Sequence, residues 1–312
     1  MAARRFVVTG GAGFIGSHFV DLLVSKTEAE VSEIVVVDKL TYAGSLDNLK
    51  LAMSDPRVKF FEFDICDKSK MENLILDGDC VVNFAAESHV DRSIMDSRSF
   101  IESNIVGVHT LLEASRNKKS LIFVQISTDE VYGSLEFENA TEDYPFRPSS
   151  PYSASKAAAE HLCQAYFSTY NMNVITTRCG NNYGERQYPE KLIPVIIEAI
   201  VHRKGVPIYG TGQNIRNWIH VDDHVKGIFS AIAYGKPGGV FNFSSDDYFS
   251  NLEIAHFVCE LLSYDRSNIV HTADRLGHDF RYGIDSKRAR DDLGWSPEVS
   301  FEDGLRSLIT NM

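Results

Sequence analysis

Phe6-Val7-Val8-Thr9-Gly10-Gly11-Ala12-Gly13-Phe14-Ile15-Gly16 is the stretch whose reading decides the fold. Its opening apolar run reads as a buried strand, and Ile15, Phe19, Leu22 and Leu23 then recur at helical spacing. The glycines between strand and helix form a dinucleotide fingerprint. Gly10 permits the tight turn, Gly13 lets a pyrophosphate approach the backbone, and Gly16 allows close helix–strand packing. A helix N-terminus offers phosphate its unpaired N–H groups and a favourable dipole. The next strand, Ile34-Val35-Val36-Val37, ends in Asp38, roughly twenty residues past the last glycine. That carboxylate is placed to accept from ribose hydroxyls and to repel a 2′-phosphate, so the expected cofactor is NAD rather than NADP.

Working outward, Val58 to Phe63 reads as a third strand closing on Asp64-Ile65, where an adenine edge could be read. Cys80 to Phe84 reads as a fourth, running into Ala85-Ala86-Glu87-Ser88-His89. The small residues there suit close approach to a cofactor and simple tight packing equally well. Helices from about Phe100 to Ser115 and from Tyr152 to Tyr170 flank a fifth strand, and Asn173 to Arg178 makes a sixth. Their apolar positions are explained by a partner interface or by core packing alone. Beyond lie helical Leu192 to Val201, Pro207 to Gly210, Trp218 to Val221, a helix Asp222 to Tyr234, a strand Val240 to Phe243 and a helix Leu252 to Leu262. This alternation predicts an α/β fold: a Rossmann-type doubly wound parallel sheet with a smaller, interleaved C-terminal substrate-binding lobe. Residues 1–180 would mainly bind NAD and 181–312 mainly the substrate, with segments such as 215–245 returning to the first domain. Ala273 to His278 suits a substrate loop or an ordinary surface loop.

The chemistry gathers after the fifth strand. Leu121-Ile122-Phe123-Val124-Gln125-Ile126 leads directly into Ser127-Thr128-Asp129-Glu130-Val131-Tyr132-Gly133. Ligands of open α/β sheets sit just outside the carboxyl ends of strands, and this turn holds residue types for paired acid and base work. Strand neighbours face opposite ways, so Asp129 and Glu130 serve one pocket only if the strand has already ended. About twenty residues on, Pro151-Tyr152-Ser153-Ala154-Ser155-Lys156-Ala157-Ala158-Ala159-Glu160 reads as a helix start. Tyr152 and Lys156 are four apart and share one face. A free phenol, with a pKa near ~10, is a poor base at neutral pH. An ammonium nearby favours the phenolate, which would let Tyr152 take a proton from an alcohol.

Composition narrows the remaining choices. A chain of 312 residues with ordinary apolar and charged fractions can bury a substantial core. The net charge of -12 argues against a nucleic-acid surface, though local Arg and Lys can still dominate one pocket. Cys66, Cys80, Cys163, Cys179 and Cys259 are odd in number, scattered and without metal spacing, which fits a reducing compartment. Met1-Ala2-Ala3-Arg4-Arg5 runs so soon into a strand that no signal peptide fits, and no stretch reaches transmembrane length. The expectation is a cytoplasmic protein with no metal, no nucleic-acid partner and no membrane partner.

At this point the chain resembles the extended short-chain dehydrogenase/reductase family, and within it the nucleotide-sugar 4,6-dehydratases. The likeness covers nearly the whole chain. It is carried by the glycine fingerprint, Asp38-Lys39-Leu40-Thr41-Tyr42-Ala43-Gly44, Ala85 to Ser93, Ser127 to Gly133 and Tyr152 to Lys156. It continues through Asn181-Asn182-Tyr183-Gly184, Pro189-Glu190-Lys191-Leu192-Ile193-Pro194, Asn214-Ile215-Arg216 and the Arg275 to Asp279 loop. The Asp129-Glu130 pair is the specific part, since related epimerases and decarboxylases generally lack both acids. By this resemblance NAD would be held by Gly10, Gly13, Phe14, Ile15, Gly16, Asp38, Lys39, Leu40, Thr41, Asp64, Ile65, Ala85, Ala86, Ser88, Ser103, Tyr152, Lys156 and Asn182. His89, Thr128, Asn181, Lys191, Leu192, Pro207, Tyr209, Arg216, Asn251, Arg275 and His278 would line the nucleotide-sugar pocket. Its cations suit a diphosphate, which planar Arg recognises through paired hydrogen bonds.

The resemblance implies a hydro-lyase, a homodimer, acting on dTDP-glucose or a related nucleoside-diphosphate glucose. Its catalytic set would be Thr128, Asp129, Glu130, Tyr152 and Lys156. Tyr152 would take the C4 hydroxyl proton as hydride passes to NAD, with Thr128 bonded to that oxygen and Lys156 on the ribose. Glu130 would then remove the C5 proton while Asp129 protonates the departing C6 hydroxyl. Hydride returned to C6 and a proton returned to C5 would give the 4-keto-6-deoxy sugar. Asp129 must be protonated for this, and the adjacent Glu130 charge is expected to raise its pKa. Three positions depart from the pattern: Gly180 where Ser or Thr is usual, Glu185 for a Pro, and Asn217 for an Asp. Two other functions share the scaffold. A nucleotide-sugar 4-epimerase needs Tyr152 and Lys156 but not the acids, and a non-catalytic NAD-binding regulator needs none of the four.

Overall fold

The computed structural model describes residues 4–311, so the reading of Met1-Ala2-Ala3 as too short for a leader lies outside the described residues. The strands are β1 (Arg4–Thr9), β2 (Val31–Asp38), β3 (Val58–Glu62), β4 (Cys80–Asn83), β5 (Ile122–Ile126) and β6 (Val174–Cys179). They continue with β7 (Asn181–Tyr183), β8 (Val206–Tyr209), β9 (Ile215–His220), β10 (Val240–Phe243), β11 (Asp247–Ser250) and β12 (Ile269–Thr272). The helices are α1 (Phe14–Val24), α2 (Lys68–Leu74), α3 (Val90–Met95), α4 (Arg98–Ile101), α5 (Val108–Ser115) and α6 (Pro151–Tyr170). After these come α7 (Leu192–Val201), α8 (Val221–Tyr234), α9 (Asn251–Leu261), α10 (Lys287–Leu293) and α11 (Phe301–Thr310).

Seven strands form one parallel sheet in the order β10-β6-β5-β4-β1-β2-β3. The valines that made β1, β2 and β4 read as continuous apolar runs are fully buried, as a sheet covered on both faces requires. On one face Phe19, Val20 and Leu23 of α1 join Val225 and Ile228 of α8 and Leu293 of α10. On the other, Met71 of α2 meets Leu111 and Leu112 of α5 and Cys163 of α6. The register brings the strand ends level: Thr9 lies opposite Val37 and Asn83, and Ile126 opposite Thr177. A buried polar row locks three of those ends. The Thr9 hydroxyl donates to Asn83 Oδ1 (2.6 Å), and Asn83 Nδ2 donates to Gln125 Oε1 (2.9 Å). The loops that follow β1, β2, β4 and β5 are thus set along one edge, where a doubly wound sheet presents its ligand site.

Segments after β6 build a second core. Ile193, Ile196 and Ile197 of α7, Ile254 and Val258 of α9, Trp218 of β9, and Phe301 and Leu305 of α11 pack together beside sheets β11-β9-β7 and β12-β8. The chain then returns, since α8 covers the large sheet and β10 extends its edge. The expected helix from Phe100 to Ser115 is a π-helical turn at Glu102–Gly107 between α4 and α5. Its cause lies at both ends of the turn. Asn104 exchanges hydrogen bonds with the Glu87 backbone (both 2.9 Å), and a Cβ on Gly107 would meet Ile65 at 2.5 Å. The apolar reading stopped short of α10 and α11, although Phe301, Leu305 and Ile309 recur at helical spacing behind the capping Ser300.

Candidate active site

A cleft of about 310 Å³ runs along the carboxyl ends of the large sheet. At one end β1 turns through Gly10, whose φ of 70° suits glycine. A Cβ there would lie 2.4 Å from the Ala85 nitrogen, and one on Gly16 would lie 2.3 Å from the Gly10 carbonyl oxygen. Asp38 braces the same turn, its Oδ2 accepting from Ala12 N (3.0 Å) and its Oδ1 from Leu40 N (2.9 Å). Burial raises its pKa, and these N–H groups act against that rise. Both carboxylate oxygens keep lone pairs for hydroxyl donors. Lys39 Nζ reaches Asp64 Oδ2 (3.1 Å) and Ser103 Oγ (3.2 Å) farther along the wall. A backbone cradle that a Cβ would fill, a carboxylate ending β2 and small Ala85 and Ala86 after β4 fit a dinucleotide.

The turn after β5 also lines the cleft. β5 ends at Ile126, and Asp129–Tyr132 forms a 3-10 turn whose first N–H groups meet the Thr128 cap (Glu130 N to Oγ1, 3.3 Å). Because the strand has ended, Asp129 and Glu130 both line the cleft, with Tyr152 and Lys156. Those two sit in the first turns of α6, which opens with Pro151 and a reciprocal Ser150/Ser153 cap. Asp129 Oδ1 accepts from the Thr128 hydroxyl (3.2 Å), while Oδ2 is buried without a partner among the described residues. Burial pushes the Asp129 carboxyl up to about 8, and the Glu130 charge adds to it. The expected cause is thus present but second to desolvation. Burial also raises Glu130, against the pull of Arg275, Arg216 and Lys191.

Lys156 behaves differently from the sequence expectation. Its ammonium donates to the Ile126 carbonyl (2.6 Å), and burial lowers its pKa to about 8. The Tyr152 phenol is raised well above its ordinary value by burial and then by the Glu130 charge, with the Thr128 hydroxyl pulling the other way. The chain alone holds that phenol protonated.

Of the residues expected to hold a cofactor, all but Leu40 line this cleft, and Leu40 contributes its N–H to Asp38. Thr128, Asn181 and Lys191 line it too, with Lys191 Nζ donating to the Ser88 carbonyl (3.1 Å). The other substrate candidates lie outside the lining. Arg216 is buried and stacks on Tyr282 at 4.3 Å, and Arg275 comes within 3.9 Å of Asp91, which also accepts from the Tyr209 hydroxyl (3.2 Å). His278 packs its ring edge against Tyr209 and bonds Asp274 Oδ1 at 2.6 Å. His89 lies 3.9 Å from Glu190, Leu192 opens α7, Pro207 sits in β8 and Asn251 opens α9. Sequence reasoning missed Ser127, Glu87, Cys179, Gln187, Tyr188 and Glu190, which also line the cleft. Ser127, Glu87 and Glu190 stood in quoted motifs without being given a role, and Cys179, Gln187 and Tyr188 stood in none.

The three departures have local reasons. A Cβ on Gly180 would lie 2.6 Å from the Asn217 carbonyl oxygen and 2.7 Å from Ser244 Oγ. Asn217 Nδ2 donates to the carbonyls of Ser245 (2.8 Å) and Asp247 (3.3 Å), which a carboxylate cannot do. Glu185 accepts from Asn311 Nδ2 (3.0 Å), and its carbonyl pairs with His18 Nε2 (3.0 Å). Among the described residues no group of three or more His, Cys, Asp or Glu could hold a metal ion, and no helix is long and apolar enough to cross a membrane.

Sheet, cradle and Tyr–Lys helix together define a Rossmann-type enzyme of the short-chain dehydrogenase/reductase class. The family described as GDP-mannose 4,6 dehydratase matches residues 7–308. A dTDP-glucose 4,6-dehydratase of Actinoplanes sp. is 44% identical over 98% of this chain and 96% of its own. A dTDP-glucose 4,6-dehydratase of Streptomyces venezuelae, solved with NAD and dTDP bound, superposes with a TM-score of 0.95 at 42% identity, covering 98% of this chain and 96% of that one. A UDP-glucuronic acid 4-epimerase of Bacillus cereus superposes at 0.92 but is only 28% identical, over 98% of each chain. The chain belongs to the GDP-mannose 4,6-dehydratase family of nucleotide-sugar enzymes, and within it to the dTDP-glucose 4,6-dehydratases.

Proposed function

We propose that this chain is a hydro-lyase that converts dTDP-glucose to its 4-keto-6-deoxy sugar with NAD as its cofactor. The observation that carries the reading is Asp129. It is a buried acid with a pKa of about 8, its free Oδ2 in the same cleft as Glu130 and Tyr152. Bound NAD supplies the hydride acceptor for C4, the hydride for C6 and a positive ring charge. Tyr152 takes the C4 hydroxyl proton, with the Thr128 hydroxyl on the same oxygen. Glu130 removes the C5 proton, which the adjacent ketone acidifies, and Asp129 gives its proton to the leaving C6 hydroxyl, so that water departs; a proton then returns to C5 as C6 is reduced. Lys156 orients the ribose. The remaining cleft-lining candidates hold the dinucleotide, while Lys191, Arg216 and Arg275 bind the diphosphate. Residues 1–180 serve mainly the first task and 181–312 the second.

A 4-epimerase has no use for the two acids, nor a regulator for any of the four reactive groups, and the epimerase relative is the more distant in sequence. Exposed Met95, Ile101, Val106 and Tyr170 on α3, α4, the π turn and α6 support a homodimer through those helices. Five free cysteines, four of them buried, support a cytoplasmic home.

The test uses dTDP-glucose deuterated at C4. The label should appear at C6 of a product lighter by one water. Glu130→Gln, similar in size but unable to accept the C5 proton, should lower that product by roughly 10²–10⁴-fold while reduced nicotinamide accumulates in a single turnover. Dehydration by Glu130→Gln at the wild-type rate, or isomerisation without water loss, would move the epimerase reading ahead.

A further inference from the structure

The cleft has two facing walls that are joined by side chains alone. Tyr42 lies between cleft-lining Thr41 and Ala43 in the segment after β2, and it reaches across to the segment after β7. Its hydroxyl donates to Glu190 Oε1 (3.0 Å), and its ring packs edge-on against Tyr188 with centroids 5.2 Å apart. The Arg92 guanidinium lies 3.8 Å over the other part of the same ring, and it also pairs with Glu190 Oε2 (3.1 Å). Tyr188 and Glu190 themselves line the cleft. Three segments distant in sequence thus meet at one point across the dinucleotide end of the site.

We infer that Tyr42, Arg92 and Glu190 form a clasp over the cleft that sets how fast the dinucleotide leaves. The inference rests on the proposed function, whose cycle begins and ends with the same form of the cofactor and so has no need to exchange it. The Tyr42 hydrogen bond to the carboxylate is the strongest of these contacts, and half-exposed Arg92 adds a weaker stack and ion pair. Burial and the Glu190 charge both disfavour the Tyr42 phenolate, which keeps the hydroxyl a donor. The far wall is anchored independently, with Arg186 paired to Asp21 at 2.7 Å and the Glu185 carbonyl bonded to His18. Arg186 also donates to the Asn48 carbonyl (2.9 Å), which ties the segment carrying Tyr42 to the same anchor and leaves the clasp side chains as the part free to part.

The experiment loads the purified protein with isotopically labelled NAD, adds excess unlabelled NAD and follows the label retained. Tyr42→Phe keeps the ring but removes the donor to Glu190, and should speed release by roughly 5–20-fold. Arg92→Lys keeps a charge for Glu190 but loses the planar stack, and should speed release by a similar factor. Tyr42→Ala removes every contact and should speed it by about 10²-fold or more. The two conservative variants decide the matter if the alanine variant does not fold. Labelled NAD held by wild type and held equally long by all folded variants would overturn the clasp alone. So would variants that lose thermal stability without a change in release. A wild-type protein that retains no label at all would overturn the proposed cofactor cycle, and the clasp with it.

Discussion

The glycine turn at one end of the cleft and the cations Lys191, Arg216 and Arg275 near Glu130 are built by different means. At the first, shape comes from backbone: Gly10 and Gly16 touch neighbouring main chain, and Asp38 is held by two N–H groups. At the second, Lys191, Arg216 and Arg275 come from three separate segments, and each is placed by its own long side chain, which reaches the Ser88 carbonyl, Tyr282 with the Asp279 carbonyl, and Asp91 respectively. A backbone-built site has little slack, since there is nowhere for main chain to move in a close-packed interior. A side-chain site can lose one member and keep its outline. The two should therefore fail differently.

The largest effect is expected at the glycine turn. In Gly10→Ala the new Cβ meets Ala85 main chain at 2.4 Å, in a conformation (φ 70°) that L residues rarely adopt. The variant should lose NAD binding altogether, read as the absence of any NAD-induced rise in melting temperature, and should fold poorly. An Ala variant with wild-type NAD affinity would show that the glycine turn yields, and the contrast between the two would disappear.

Among the cations, Arg275→Gln should weaken dTDP binding by roughly 10–10²-fold, the loss of one charge-assisted contact, and leave NAD affinity unchanged. Calorimetry with both nucleotides on one protein sample reads both numbers. Removing Arg275 also removes the cation that most opposes the rise in the Glu130 pKa, so a small shift of the acidic limb of activity to higher pH should accompany it. Equal losses for NAD and dTDP would mean that Arg275 supports the whole cleft.

The same contrast explains what was legible in the chain. The glycine turn, Asp38 and the acid pair are local patterns, with turn, helix start and strand end within a few residues, and sequence periodicity reports local patterns. The valine runs of β1, β2 and β4 made the large sheet readable for the same reason. Glu190 and Tyr188 meet partners from distant segments, Tyr42 for both and Arg92 for Glu190, and local periodicity signals neither contact. Cys179 and Ser127 are lining residues by position alone. Lys156 shows a subtler limit: spacing set it on the face of Tyr152, but the Ile126 carbonyl that takes its ammonium belongs to β5. The π turn at Glu102–Gly107 likewise arises from Glu87 and Ile65, which no helical pattern could include.

The smallest effect concerns Asp129, where the backbone-built turn carries a group held far from its ordinary state. Unfolded, its carboxyl titrates near 3.8; folded, it titrates at about 8, chiefly through burial. Between those values the native state keeps a proton that the unfolded chain releases. Stability should therefore fall as pH rises from about 4 to about 8, with the full contribution present below that window. Asp129→Asn has no such proton, so its melting temperature should exceed that of the cofactor-free wild type at pH 8 by a few degrees, on the order of 1–3 kcal/mol. The advantage should shrink towards pH 4. Glu130, also raised, is present in both proteins, and its charge, which adds to the Asp129 rise, is part of the difference that the comparison reads. Melting curves across that range, collected without nucleotide, decide it. Parallel curves for wild type and Asp129→Asn would show that Asp129 is ionised in the folded chain, and the acid assigned to the departing hydroxyl would have to be sought elsewhere in the cleft.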